Sequence, residues 1–374
     1  GQALSLYKTW KGELIQPYVK DLAAAMTEHP RITVHLSADI TQVEGFVGNF
    51  RTTVESASGS EVIEHGIAVV AKGGKGWTPN EYLYGQDPRV LVHQDLDRRF
   101  IARDPGLKEV QSAVFIQCVG SREPGRPHCS RVCCSHSVES ALELKKINPD
   151  CDIYILYRDL RTYGERELLY QEARRSGIVF VRYSLENKPR VEVADGKLRV
   201  TVIDHVLQRP VVFTPDLVTL ANAIVSDDNE VLGQYFKVPV NDEGFFVEAH
   251  AKLRPVDFAT DGVFVCGLAH YPKPIDESIA QAQAAASRAC TILAKKTIQF
   301  SGTVAGTNQF FCSSCGTCVS ICPYSAPQFN AKGKAEINAA LCKGCGLCVA
   351  SCRSGAIRLA GFDDAQIFRV IDSI

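Results

Sequence analysis

AVFIQCVGSREPGRPHCSRVCCSHSVESALELKKI, residues 113–147, decides how this chain is read. AVFIQ is a short apolar run of the kind that forms a buried strand, and SHSVESALELKKI (135–147) carries its apolar residues at helical spacing. Strand, loop and helix together make one side of a βαβ unit. In nucleotide-binding units of this type the loop reads G-x-G-x-x-G, so that phosphates can approach the helix N-terminus. Here a longer loop carries Cys118, Cys129, Cys133 and Cys134 in the spacing C-x10-C-x3-C-C. The positive end of the helix suits thiolates, and Arg122, Arg126 and Arg131 stand ready to offset their charge. By spacing alone the quartet is consistent with an iron–sulfur cluster, a zinc site or redox-active thiols. His128 and His136 flank it as candidate hydrogen-bond partners of a cluster.

Outward from this unit, strands and helices alternate. A helix is expected over 8–28, then short apolar runs at ITVHL (32–36), TQVEGFVG (41–48) and HGIAVVAKGG (65–74). Strands are expected at 151–158, 178–183, 216–224 and 261–269. Helices are expected over ERELLYQEARRSG (165–177) and 276–296. Such alternation predicts an α/β fold with a mainly parallel sheet. No run approaches 18 apolar residues, so no membrane-spanning helix is predicted. Lys and Arg number 41 against 42 Asp and Glu, a net charge of −1, which argues against nucleic-acid binding by bulk charge.

The 15 cysteines are clustered, and clustered thiols without a recognisable signal peptide point to metal in a reducing, cytoplasmic compartment. FCSSCGTCVSICPYSAP places Cys312, Cys315, Cys318 and Cys322 in C-x2-C-x2-C-x3-C-P spacing. LCKGCGLCVASCRSGAI repeats it at Cys342, Cys345, Cys348 and Cys352, with Arg353 in place of the proline. This is the ligand spacing of two [4Fe–4S] centres, in which the fourth cysteine of each run reaches the other cluster. One centre is therefore assigned Cys312, Cys315, Cys318 and Cys352, the other Cys342, Cys345, Cys348 and Cys322, each fourth cysteine being expected at the start of a following helix. Zinc knuckles would group ligands two and two. Residues 310–360 resemble the bacterial two-cluster ferredoxin domain. Cys151, Cys266 and Cys290 stand apart and read as packing residues.

ATDGVFVCGLAHYPKPIDESIAQAQAAASRA (259–289) resembles the second flavin-binding motif of two-dinucleotide-domain flavoproteins. The resemblance places Gly267, Leu268, Ala269, His270, Lys273, Ile275, Asp276 and Ser278 beside FAD, Leu268 standing where many members have an acidic residue. Lys273 is expected near the isoalloxazine, where a cation favours reduced flavin. VVAKGG (69–74) resembles a later strand-end motif of the same flavoproteins, with Lys72 where threonine is usual. The first motif, G-x-G-x-x-G after an N-terminal strand, has no match, so an N-terminal Rossmann half is expected on another polypeptide or in a longer chain.

Taken with VEGFVGNF (43–50), YRDLRTYGERE (157–167) and PKPI (272–275), the cysteine motif resembles the A-subunit family of heterodisulfide reductases, in a short form without an inserted ferredoxin domain. Tyr163, Glu165 and Arg166 are read as structural. The resemblance implies a thioredoxin-reductase-like flavoprotein module followed by an α+β two-[4Fe–4S] ferredoxin domain. The expected division is 1–112, a partial FAD-binding domain; 113–224, an NAD(P)-domain-like module carrying the cysteine motif; 225–300, a return to the FAD domain; and 301–374, the ferredoxin. It implies FAD and three [4Fe–4S] clusters, the third on Cys118, Cys129, Cys133 and Cys134. The implied function is that of an electron-transfer component of a larger oxidoreductase, bifurcating electrons in some members, with no catalytic residue of its own recognisable. Implied partners are ferredoxin and heterodisulfide reductase B/C-like, hydrogenase or formate dehydrogenase subunits. Two other functions remain open at this stage: an NAD(P)H-dependent flavoenzyme like the small component of glutamate synthase, and a non-catalytic electron-carrying scaffold.

Overall fold

The computed structural model describes residues 1–299 and 302–374; the expected domain boundary at 300/301 lies outside them. Five parallel strands form the central sheet, in the spatial order Val90–Val92, Leu217–Asn222, Ser112–Val119, Asp152–Tyr157, Val179–Arg182. Alternation along Ser112–Val119 sends successive side chains to opposite layers. Ala113 and Phe115 pack against helices His93–Ile101, Cys133–Ile147 and Glu167–Arg175 through Leu96, Phe100, Val138, Leu144 and Ala173. Val114 and Ile116 face an antiparallel meander, Arg190–Ala194, Lys197–Ile203 and Pro210–Phe213, through Leu198, Val200 and Val202. Buried on both faces, the strand reads as one apolar run.

A second body is built from a meander of Ala38–Phe46, Asn49–Ser56 and Gly59–His65, a parallel pair of Ala68–Val70 with Val263–Val265, and helix Ile275–Leu293. Phe236, Phe246 and Phe258 fill its core with Val70 and Val265. The ferredoxin portion has internal two-fold character: hairpin Pro327–Phe329 with Ala335–Ile337, pair Ala305–Thr307 with Ile357–Leu359, and short helices Thr317–Ile321 and Leu347–Ala350.

Three expectations are corrected. The first helix spans only Ile15–Glu28, because the chain turns at Gly12 (φ 85°) and pairs Lys8 with Leu14. ITVHL forms no strand and is largely exposed, for it follows Pro30 and has no neighbouring strand to supply hydrogen bonds. The fourth ferredoxin cysteine does not start a helix: Cys322 is the C-cap of Thr317–Ile321, where Pro323 disfavours helical backbone, and Cys352 lies just beyond Leu347–Ala350.

Candidate metal and flavin sites

Strands Ser112–Val119 and Leu217–Asn222 are neighbours from which the chain winds outward in opposite directions. This is the topological switch point of the sheet, and its carboxyl end is where such folds bind ligands. The cysteine quartet sits there. Cys118, next to last in its strand, has left-handed backbone (φ 59°), and Gly120 lies just beyond the strand with Trp77 so close that a Cβ would lie 2.2 Å from the indole ring. The loop returns to the helix that opens with Cys133 and Cys134.

The structure brings the four thiols together. Burial pushes the Cys133 thiol well up, and Cys118, Cys134 and Cys129 beside it push the same way. Cys134 is pushed up to about 12, again by burial first, with Cys118 and Cys129 contributing. Thiols so crowded must shed protons together to bind metal. Arg122 Nη1 donates to Cys118 Sγ (3.9 Å), and the Arg131 backbone N–H to Cys129 Sγ (3.4 Å). Only Arg122 of the three expected arginines aims its guanidinium at a thiol. Arg126 lies over the Trp77 ring and donates to the Gly120 carbonyl, while the Arg131 side chain pairs with Glu277 at 3.0 Å. Nor do the histidines touch sulfur: His128 pairs with the Ile224 carbonyl and His136 with Asp97.

In the ferredoxin portion one cavity is lined by Cys322, Cys342, Cys345 and Cys348 together, the crossed ligand set read from the spacing. Cys318 has Cys312 and Cys315 as neighbours, and Cys312, Cys318, Cys342, Cys348 and Cys352 all pack in one cluster. The pseudo-symmetry extends to sulfur hydrogen bonds, with Ala305 N–H to Cys342 (3.4 Å) and Ala335 N–H to Cys312 (3.5 Å). Gly316 and Gly346 (φ 78° and 76°) turn the chain before each third cysteine. Among the described residues no three His, Cys, Asp or Glu side chains converge on a single ion; a cubane takes its thiolates at separate corners. Of the solitary cysteines, Cys151 and Cys266 are buried as expected, but Cys290 is exposed, because helix Ile275–Leu293 buries only Ala285 and Ala289.

A cleft of about 990 Å³, counted with its open mouth, runs between the quartet and the second body. Leu268, Lys273, Ile275 and Asp276 line it, facing Cys133, Gly74 and Gly76. Gly267, Ala269, His270 and Ser278 do not. The Gly267 N–H is taken by Gln281 (2.9 Å), Ala269 is buried beneath, His270 pairs with Glu248 (2.7 Å), and Ser278 Oγ bonds the Pro274 carbonyl. Lys273 is 7% exposed, and its Nζ donates to the carbonyls of Gly267 (2.7 Å) and Tyr271 (2.8 Å). Burial lowers its pKa to about 8, with Arg131 pushing the same way. Gly74 and Gly76 lie on the cleft and pack tightly on the neighbouring chain, where Cβ atoms would lie 3.0 Å from the Val225 carbonyl and the Asn222 amide. Apolar walls, a buried cation and glycine-lined edges fit a flavin. Tyr163 and Arg166 hold the helix beside the cleft, Tyr163 through Glu277 and Arg166 through Asp276 at 2.7 Å, in keeping with a structural part. Lys72 points away, onto the Asp228 carbonyl. Sequence reading missed His93, Glu139 and Asn222, which also line the cleft; nothing local in the sequence marked them.

Comparison with known proteins accords with this architecture. Residues 311–356 match the family model of the 4Fe-4S dicluster domain. The chain is 35% identical over 297 residues to the A-subunit of the H(2):CoB-CoM heterodisulfide,ferredoxin reductase of Methanothermobacter marburgensis, covering 74% of this chain and 44% of that protein. It is 34% identical over 314 residues to the iron-sulfur A-subunit of the CoB--CoM heterodisulfide reductase of Methanocaldococcus jannaschii, 79% of this chain and 47% of that one. The chain is a homologue of the heterodisulfide reductase A-subunit. It spans about half the length of these curated relatives. Thioredoxin reductases share the fold of this homologue: that of Lactococcus lactis aligns with a TM-score of 0.52 at 14% identity, over 79% of this chain and 88% of the other, and that of T. acidophilum with 0.50 at 11%, over the same shares. The fold is thus a thioredoxin-reductase-like α/β flavoprotein module joined to a ferredoxin domain, as the sequence indicated. Among the described residues no helix is long and apolar enough to cross a membrane.

Proposed function

We propose that this chain is the flavin- and cluster-bearing part of a multi-subunit oxidoreductase, exchanging electrons between FAD in the cleft, a [4Fe–4S] cluster on Cys118, Cys129, Cys133 and Cys134, and the two clusters of the ferredoxin domain. One observation carries the reading: Cys133 of the quartet and Lys273 of the flavin motif line the same cleft. Bound there, FAD supplies conversion between two-electron and one-electron transfer. The protein's part is to hold it: Leu268 and Ile275 form apolar wall, and Lys273 presents positive charge. Arg122 balances thiolate charge at Cys118. The quartet occupies the switch-point loop that would otherwise cradle nucleotide phosphates, so electrons enter from protein partners and not from NAD(P)H. The names of the relatives suggest a heterodisulfide- or hydrogen-linked complex with ferredoxin as one acceptor, and flavin-based bifurcation is the mode in keeping with them.

The test is metal and flavin analysis of the anaerobically purified complex. About twelve irons and about one FAD per chain are expected, falling to about eight irons in Cys129→Ala and Cys133→Ala. Eight irons in the unaltered protein, unchanged by those substitutions, would overturn the third centre, and direct NADH oxidation by this chain would overturn the loss of nucleotide binding.

A further inference from the structure

A second cavity lies behind the flavin cleft, lined by Tyr7, Lys8, Asp97, Glu143 and Lys146. The two share one wall, in which His136 and Glu139 face both spaces. Glu139 is partly buried, and its carboxylate has no hydrogen-bond or ion-pair partner among the described residues. An acid left unpartnered between two cavities is costly unless it spends part of its time protonated, and carboxyls in that condition are suited to move protons.

We propose that Glu139 is a proton-transfer residue, relaying protons between the outer cavity and the inner cleft. The proposal rests on the flavin reading of that cleft. When electrons reach a two-electron acceptor there through the clusters, its charge is balanced by a proton from the Glu139 carboxylic acid. The O–H bond of Glu139 breaks, the carboxylate remains, and a proton from bulk solvent, handed on through water in the second cavity, returns to it so that the water is left unchanged. Oxidation of the acceptor runs the same transfers backwards.

The surroundings are consistent with such a group. Burial holds the Glu139 carboxyl up at about 7; His136 and Arg166 draw it down, and Asp97 and Asp276 push it up. Lys8, which lines both spaces, is paired to Glu143 at 3.1 Å, and Tyr7, on the second cavity, donates to the same carboxylate. On the same wall His93 is hydrogen-bonded to Ser137 at 2.7 Å and packs against the His136 ring, and Lys273 lines the same cleft. None of these closes on the Glu139 oxygens, so the carboxyl is left available to water on both sides.

The experiment follows proton uptake with an indicator dye while the flavin of the loaded protein is photoreduced at pH 7. Glu139→Gln is expected to slow uptake by about 10²-fold, added acetate to restore it, and Glu139→Asp to keep most of it. Uptake at the unaltered rate in Glu139→Gln overturns the proposal, as does a slowed rate that acetate does not rescue, since the carboxyl would then serve structure alone. A second measurement needs no flavin. Infrared spectra should show a carboxylic C=O band that titrates near pH 7, shifts promptly in D2O and is lost in Glu139→Gln. A protein without flavin would sink the flavin reading, while absence of this band would sink the proton relay.

Discussion

At the residue scale, the chemistry turns on a few side chains held against their solution preferences. Lys273 is the clearest. Its pKa is lowered to about 8 from an ordinary 10.5, so between those values the unfolded chain binds the extra proton and stability rises with pH. Below about pH 8 both states are protonated and the full cost of burying the ammonium is present, on the order of 3 kcal/mol at most. Lys273→Met is therefore expected to raise the thermal midpoint of the flavin-free protein at pH 7 and to lose that advantage by pH 10, read by calorimetry, while weakening flavin retention. Gly344 shows the opposite constraint. It sits at φ 64°, and a Cβ would lie 2.3 Å from the Thr303 carbonyl. Gly344→Ala should cost about 2 kcal/mol or more and lower iron content. At the equivalent place in the first run stands Ser314, also left-handed at φ 61°; Ser314→Gly should leave iron content intact, which makes it the control.

At the element scale, the strand–loop–helix of residues 112–147 performs two tasks. Its apolar strand holds the sheet together, and Phe115, fully buried against three helices, should cost about 3–5 kcal/mol on truncation to alanine, measured by urea unfolding. Its loop carries the cysteines, stabilised by Arg158, whose guanidinium donates to the backbone carbonyls of Ser121 and Arg122. That the four cysteines fall on one strand–loop–helix was legible because it depends only on local periodicity and spacing. The partners of the loop were not. Trp77, Asn222 and Arg158 come from distant strands, and only the sheet order brings them to the same end. Helix boundaries slipped where a single left-handed glycine, Gly12, outweighed an otherwise continuous periodicity.

At the scale of the whole molecule, the ferredoxin portion is joined to the flavin module by Lys343, next to Cys342 in sequence; its ammonium pairs with Asp261, which also meets Arg254 at 3.7 Å. Val43, Phe46 and Val47 of the first meander face Tyr324 and Leu341 across the same junction. Partly exposed ion pairs are worth about 1 kcal/mol or less, but reversing the central charge sets three cations against one another. Asp261→Lys should loosen the junction, seen as faster release of the ferredoxin portion in limited proteolysis, with the iron of that portion retained.

The sequence by itself determined the 4Fe-4S dicluster domain, the α/β class and the order of the modules. Those rest on residue type, periodicity and spacing, which are local. Only the tertiary structure decided that Cys133 and Lys273 share a cleft, that Gly267 and His270 turn away from it, and that Glu139 stands between two cavities. Each of these depends on which strands become neighbours at the switch point, and that is settled by packing between residues far apart in the chain.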